Sequence, residues 1–382
     1  MTKRIFLLGD AIISPLGFDT EENLQALREE RSGLLNHPNS FFPKEGLVAG
    51  IIDNDKLTAA LSNFGDPSGY TRLEKMMILA VQKVLQQHPD IDLTTTALII
   101  STTKGNIDLL GDHKFPEVRV LPGEMGRVIA NFFGFSLEPV IVSNACISGG
   151  LAIAIAKRFM EAGKMERAIV VGGDLVSDFV VSGFQSFQAI SPQACRPFSK
   201  NRNGISLGEA AAAVLVSKKP GTQGKYIELI GEATANDANH ISGPSRTGEG
   251  LFKSIAAALK EAGIMAGEID YISAHGTATL FNDEMEAIAF SRSGLRNTPI
   301  NSFKGWYGHT LGASALVETI LTKHSLLNNE LFCSLNFEET GTSEKINVIT
   351  KRENRKLGYA LKTASGFGGC NLTLVLKKGY NG

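Results

Sequence analysis

The sequence predicts an α/β protein made of two related halves, with sheets covered by helices on both faces. Three observations point there. Short, continuously apolar strand segments alternate with amphipathic helical segments, the pattern of buried sheets. The same order of elements then occurs twice. At 382 residues the chain is also long for one simple core and has room for a duplicated unit.

The elements follow in matched pairs. Arg4-Ile5-Phe6-Leu7-Leu8-Gly9 opens the first half as a strand, and Tyr226-Ile227-Glu228-Leu229-Ile230-Gly231 opens the second. After a long loop, apolar residues at helical spacing predict a helix over 72–85 and its counterpart over 251–262. Short strands come next, Thr96–Ser101 and Asp270–His275. A strand-loop-helix unit follows in each half. In the first, Pro139-Val140-Ile141-Val142 passes through Cys146 into an apolar helix over 151–156; in the second, Pro299-Ile300-Asn301 and the residues to Lys304 lead through His309 into Gly312-Ala313-Ser314. Strand pairs close the halves, 167–173 with 211–216 and 358–362 with 371–376. Two halves, 1–220 and 221–382, are expected. Two unrelated α/β domains in tandem are the alternative, and the matched order favours duplication.

Composition narrows the function. Hydrophobic residues make up 43% and charged residues 20%, ordinary for a globular protein and incompatible with general disorder. A net charge of −1 leaves no electrostatic footprint for nucleic acid. The longest apolar stretch, Ile147 to Ala156, stops at Lys157-Arg158, well short of the roughly 18 residues of a membrane span. Nothing at the N-terminus reads as a signal peptide. Four cysteines without metal-ligand spacing fit a reduced, cytoplasmic protein and no metal site.

Cys146 stands out because Ser143-Asn144-Ala145-Cys146-Ile147-Ser148-Gly149-Gly150 joins a strand to a helix. Unpaired N–H groups and the helix dipole there favour a thiolate, which predicts a lowered pKa. Inert buried cysteine is the commoner reading of such a residue taken alone. His275, in Ala274-His275-Gly276-Thr277, and His309, in Tyr307-Gly308-His309-Thr310, lie in comparable glycine-flanked loops. If a pseudo-twofold relates the halves, Cys146 and His309 occupy corresponding corners and converge near its axis, with His275 beside them. His37, His88, His113, His240 and His324 lie outside such loops and read as structural.

These loops resemble the β-ketoacyl synthases of the thiolase superfamily, in the branch with a Cys-His-His active site. The resemblance runs from Ser14-Pro15-Leu16-Gly17 to Gly366-Phe367-Gly368-Gly369-Cys370-Asn371, nearly the whole chain. It implies the thiolase fold, with duplicated βαβαβαββ halves in a five-layered αβαβα architecture. It also implies a decarboxylative Claisen condensation without a cofactor. By the resemblance, Cys146 accepts the acyl group, and His275 and His309 present neutral N–H groups to the enolate. The N–H groups of Cys146 and Phe367 form the oxyanion hole. Lys304 and Glu318 are expected either to support the histidines and the bound thioester or to form a buried salt bridge with no direct catalytic role, and Glu209 to be architectural. The second histidine separates this branch from thiolases. Acyl carrier protein is the implied partner, together with a dimer mate that is either a second copy or a related subunit. A pocket-shaping partner subunit and a non-decarboxylating acyltransferase or thiolase-like enzyme remain the alternatives.

Departures from the family pattern bear on the substrate. Ser365 replaces a phenylalanine of the gating loop, and Ile147 is bulky where a small residue is usual; both are expected against the acyl chain. Ser199 and Asn203 stand where aspartates are common, a change expected to alter loop pairing rather than chemistry. The region between Lys104 and Glu138 is short. Arg72 and Lys75 mark a helix face that is either a carrier-protein docking site or simply solvated. Polyketide-like, polyene or aryl-capped chains fit these departures as well as ordinary fatty acids do.

Overall fold

The computed structural model describes residues 4–38, 46–221, 224–237 and 243–380; His240 lies outside them. Five strands of a ten-stranded sheet belong to the first half: β1 (Phe6–Ile13), β2 (Ala97–Ser101), β3 (Val140–Val142), β4 (Arg167–Asp174) and β5 (Ala210–Ser217). Five belong to the second: β6 (Lys225–Asn236), β7 (Tyr271–Ser273), β8 (Ile300–Asn301), β9 (Tyr359–Gly366) and β10 (Cys370–Tyr380). Their spatial order is β8-β7-β9-β10-β6-β1-β5-β4-β2-β3. Counted outward from the middle, β1 to β5 correspond in turn to β6 to β10. Directions match too. β3, β2 and β4 are parallel with β5 antiparallel, and β8, β7 and β9 are parallel with β10 antiparallel. The halves join where Phe6 and Leu7 pair with Glu228 and Ile227, so backbone hydrogen bonds run through all ten strands.

The helices sort into layers. α1 (Arg72–Gln87) and α2 (Pro122–Phe133) cover the outer face of the first half. α3 (Ser148–Glu161) lies inside, and α4 (Asp178–Ser186) follows β4. In the second half α5 (Glu249–Ala262) and α6 (Leu280–Arg292) lie outside, and α7 (Ser314–Asn328) inside. Alternation along the strands sets this partition, because successive side chains point to opposite faces. Ile99, Val170, Ala212 and Val214 join α3 and α7 in the central core. Leu98, Ile100, Ile169, Val171, Ala211 and Ala213 instead face α1 and α2. Ile272, Leu361 and Val375 do the same toward α5 and α6. The result is the five-layered thiolase fold.

α7 is buried along nearly its full length, as a helix between two sheets must be. It meets α3 at very close range. A Cβ added to Gly149 would lie 2.8 Å from the Leu316 N, 2.8 Å from its Cβ and 2.9 Å from the Gly312 O, so only glycine fits there.

Local chemistry sharpens several boundaries. The helix expected from residue 151 begins at Ser148, and within the unit that leads to His309 the strand covers Ile300–Asn301 while Lys304–Tyr307 forms a single helical turn. α1 starts with a capping box, Thr71 and Glu74 bonding each other's backbone N–H. The expected boundary at 220/221 falls between β5 and β6. Among the described residues, no helix is long and apolar enough to cross a membrane.

Candidate active site

Two corners build the site, one from each half. In the first, Ala145 takes the left-handed conformation at φ 45°, a strained choice for a residue with a Cβ. Ser148 holds this turn: its Oγ donates to the Ala145 carbonyl at 2.6 Å and accepts from the Asn144 N–H at 2.8 Å. Cys146 is thereby presented just ahead of α3, lining a cavity of about 500 Å³.

The second half supplies two histidines on separate loops. Beyond β7, the N–H groups of His275 and Gly276 donate to the two oxygens of Glu286 on α6, at 2.8 and 2.6 Å. His309 is clamped by the first half: its N–H donates to Ser206 O at 2.7 Å, and the Gly208 N–H donates to its carbonyl at 3.1 Å. Asp174 of β4 takes the Gly312 N–H at 2.7 Å, a second clamp across the halves.

Hydrogen bonds assign the histidine tautomers. The Leu311 N–H donates to His309 Nδ1 at 3.0 Å. Lys304 Nζ, a donor only, lies 3.1 Å from His275 Nδ1. With both Nδ1 atoms accepting, each ring carries its proton on Nε2. The rings sit edge to face with centroids 5.2 Å apart, and a ring nitrogen of each lies within 4.8 Å of Cys146 Sγ and of the other. Such a trio has the reach of a small-cation site, but the buried Lys304 and Lys362 behind it oppose positive charge.

Burial, then Lys304 and, at His275, His309, followed by Lys362, hold both imidazoles well below the ordinary histidine range. Both rings are therefore neutral N–H donors at neutral pH. The thiol departs from expectation. Burial, reinforced by Cys370, pushes Cys146 up to about 12, against the lowering influence of Lys304, the Phe367 N–H and Lys104. Desolvation outweighs the helix start, so the resting group is a thiol. The Phe367 N–H points at the sulfur, and Gly366 lies against the Cys146 backbone.

Not every expected site residue reaches the cavity. Cys146, His275, His309, Ser365 and Phe367 line it. Ile147, expected against the acyl chain, is instead 1% exposed and packed in the central core, because the turn that aims Cys146 at the cavity aims its neighbour inward. Glu318, expected at the thioester, lies behind the histidines, held by Lys304 at 2.7 Å and Lys362 at 2.6 Å. Burial alone would raise the Glu318 carboxyl, but these two ammoniums hold it below the usual range. Lys304 also lies behind the cavity wall and reaches the chemistry only through His275.

Four contributors escaped the sequence reading. Phe184 and Phe187, on and after α4, stack near the Phe367 ring at 5.6 and 5.4 Å and line the cavity. Glu286 anchors the His275 loop; its signal was an acid one helical turn beyond Asp283 in a loop-to-helix junction. Lys362 left a plainer signal, a lysine inside an otherwise apolar strand.

The remaining polar residues have local partners. Ser365 Oγ donates to Asn371 Oδ1 at 2.7 Å, and Asn371 Nδ2 donates to Asp237 Oδ2 at 3.2 Å, tying the glycine-rich loop to β6 and its continuation. Glu209 accepts the Ile52 and Val176 N–H groups and pairs with Arg72 at 2.7 Å, so Arg72 is engaged within the chain. Asn203 accepts from Ser191 Oγ and lines the cavity, while Ser199 bonds the Glu338 N–H. The 104–138 region exposes Leu110, Val118 and Leu121.

Comparisons with known proteins agree with one another. Residues 91–220 match the family described as beta-ketoacyl synthase, N-terminal domain, and residues 226–338 its C-terminal domain. The chain is 33% identical to 3-oxoacyl-[acyl-carrier-protein] synthase 2 of Rhizobium meliloti, over 100% of both chains. It is 26% identical to the synthase of the same name from Vibrio harveyi, over 98% of this chain and 99% of the other. Among solved structures, a ketosynthase in complex with its chain length factor from Xenorhabdus doucetiae superposes with a TM-score of 0.87 at 26% identity, covering 98% of each chain.

Proposed function

The chain belongs to the β-ketoacyl synthase family and is an acyl-transferring enzyme of fatty acid or polyketide assembly, and we propose that it works by decarboxylative condensation on Cys146. The observation that carries this reading is a pair of imidazoles, each with its proton on Nε2, that bring a ring nitrogen within 4.8 Å of one thiol.

In the first stage the Cys146 sulfur attacks a carrier-bound acyl thioester. A new S–C bond forms, the carrier thiolate leaves, and the thiol proton passes to it. The N–H groups of Cys146 and Phe367 stabilise the tetrahedral oxyanion. A malonyl thioester then takes the vacated place and loses carbon dioxide, the electrons of the broken C–C bond becoming an enolate. His275 and His309 donate to its oxygen. Neutral donors suit this step, since an imidazolium facing the malonyl carboxylate would form an ion pair that stabilises the ground state. The enolate carbon attacks the Cys146 thioester, and the cysteine leaves as thiolate with the β-ketoacyl product formed.

Acyl carrier protein is the proposed donor of both thioesters. A second ketosynthase-fold subunit, identical or related, is the proposed dimer mate; exposed Leu110, Val118 and Leu121 and the sheet-edge strand β3 support such a contact. The boundary near residue 220 is proposed to separate the two duplicated halves. Purified protein given an acyl carrier and a malonyl carrier should release carbon dioxide and a β-keto product two carbons longer. Acylation without carbon dioxide release would refute condensation in favour of simple acyl transfer, and failure of any donor to acylate the protein would leave the partner-subunit reading.

A further inference from the structure

Lys362 has no part in the steps above, yet it is fully buried in the middle of β9. Its ammonium donates to the carbonyls of Ser273 at 3.2 Å, Ala274 at 3.3 Å and Thr363 at 2.6 Å. The first two immediately precede His275. The same ammonium pairs with Glu318 Oε2 at 2.6 Å, while Oε1 takes Lys304 at 2.7 Å and Ser314 Oγ at 3.0 Å. One carboxylate therefore serves two ammoniums, and Lys304 goes on to His275 Nδ1. The other groups facing this cluster add little negative charge. Glu286 of α6 is pushed up to about 7 by burial and by Asp283, so it is only partly ionised near neutral pH. Asp283 itself is paired toward Arg202 and backbone N–H groups. Tyr271 donates its hydroxyl to Asn301, and Cys146 is a thiol. A buried second lysine is costly to a fold, since its charge must leave water before its partners repay it. Something other than stability accounts for it.

Resting on the condensation reading, we propose that Lys362 is a positioning residue for decarboxylation. By sharing Glu318 with Lys304 it leaves one uncompensated positive charge behind His275 and His309. That charge keeps both rings as neutral donors and favours the negative charge that develops in front of them. Lys362 acts through Glu318 and through the strand end it pins, and touches no reacting atom.

The sign of each substitution follows. Lys362→Met removes a like charge, so both imidazoles bind protons more readily and their titrations move to higher pH. Glu318→Gln removes the shared anion and moves them to lower pH. The test is side-chain histidine ¹⁵N NMR of the full chain without substrate, as a pH titration, for wild type and both variants. Lys362→Met should shift the His275 and His309 titrations upward by about one pH unit, and Glu318→Gln downward. In turnover, Lys362→Met should cut carbon dioxide release by roughly 10- to 100-fold while acyl loading of Cys146 stays within about twofold. Titrations that move in neither variant, or that move together, overturn the proposal. If Lys362→Met does not fold, Lys362→Gln removes the same charge while keeping a donor, and the same upward shift is expected of it. Wild-type protein that loads acyl groups but releases no carbon dioxide overturns the condensation reading instead, and the substrate-free titration still reports on the lysine.

Discussion

The corner between β3 and α3 and the corner between β8 and α7 hold the same place in the two halves, yet they are built by opposite means. The first is short, residues 143–147, and rests on backbone: a left-handed Ala145 and a serine that ties the turn. The second is long, residues 302–313, and rests on buried charge, with Lys304, Glu318 and Lys362 in one chain behind the histidines. A short, stiff turn suits a nucleophile that must be aimed. A longer loop backed by ions suits groups whose protonation must be held fixed. Corresponding positions in the two halves supply the meeting point, and loop length the division of labour.

Four experiments press on this comparison. Removing the aimed group should cost most. Cys146→Ala should lower condensation by on the order of 10³-fold or more, with no acyl adduct by intact mass; an adduct elsewhere on the chain would move the nucleophile out of the first corner. Next comes the donor. His309→Ala should slow decarboxylation by about 10²- to 10³-fold, the usual cost of one lost oxyanion donor, while Cys146 still acylates. Equal loss of both steps would mean that the corners do not divide the reaction.

The contact between the corners comes third. Gly149→Ala forces a methyl against Leu316 and Gly312 backbone, which should cost about 1–3 kcal/mol in a denaturant melt and reduce turnover with it. An unchanged melt would show that α3 and α7 can part freely. Per ring and per pH unit, the smallest effect is expected from acid. Unfolded histidines bind protons below about pH 6.5, whereas His275 and His309 stay neutral in the fold until well below that. The unfolded state then carries more protons, so stability falls as pH drops below about 6.5, by up to ~1.4 kcal/mol per pH unit for each ring. Denaturant midpoints between pH 7 and 5 would show this slope, and His309→Gln should remove part of it.

Much of the fold was legible because buried strands declare themselves as apolar runs and outer helices as periodic ones. The corresponding order of β1–β5 and β6–β10 follows from that. The short ladder between β1 and β6 was not legible, since pairing partners leave no local pattern. In the site, Cys146, His275 and His309 were visible from glycine-flanked loops, and their convergence from the duplication. The thiol's protonation was misjudged because a helix start is written in sequence and desolvation is not. Ile147 was misplaced for a related reason: motif neighbours share a loop but not a direction. Phe184 and Phe187 lie on and just after a helix whose spacing alone gives no sign that it borders a cavity.

The cross-half clamps carry a last consequence. His309 is held by Ser206 and Gly208, and Gly312 by Asp174, so the second corner takes shape only against a finished first half. A chain with only the first half folded would present the sulfur without His275, His309 or the Phe367 N–H beside it. Full condensation is therefore expected only of a molecule with both halves in place, so turnover doubles as a readout of complete folding.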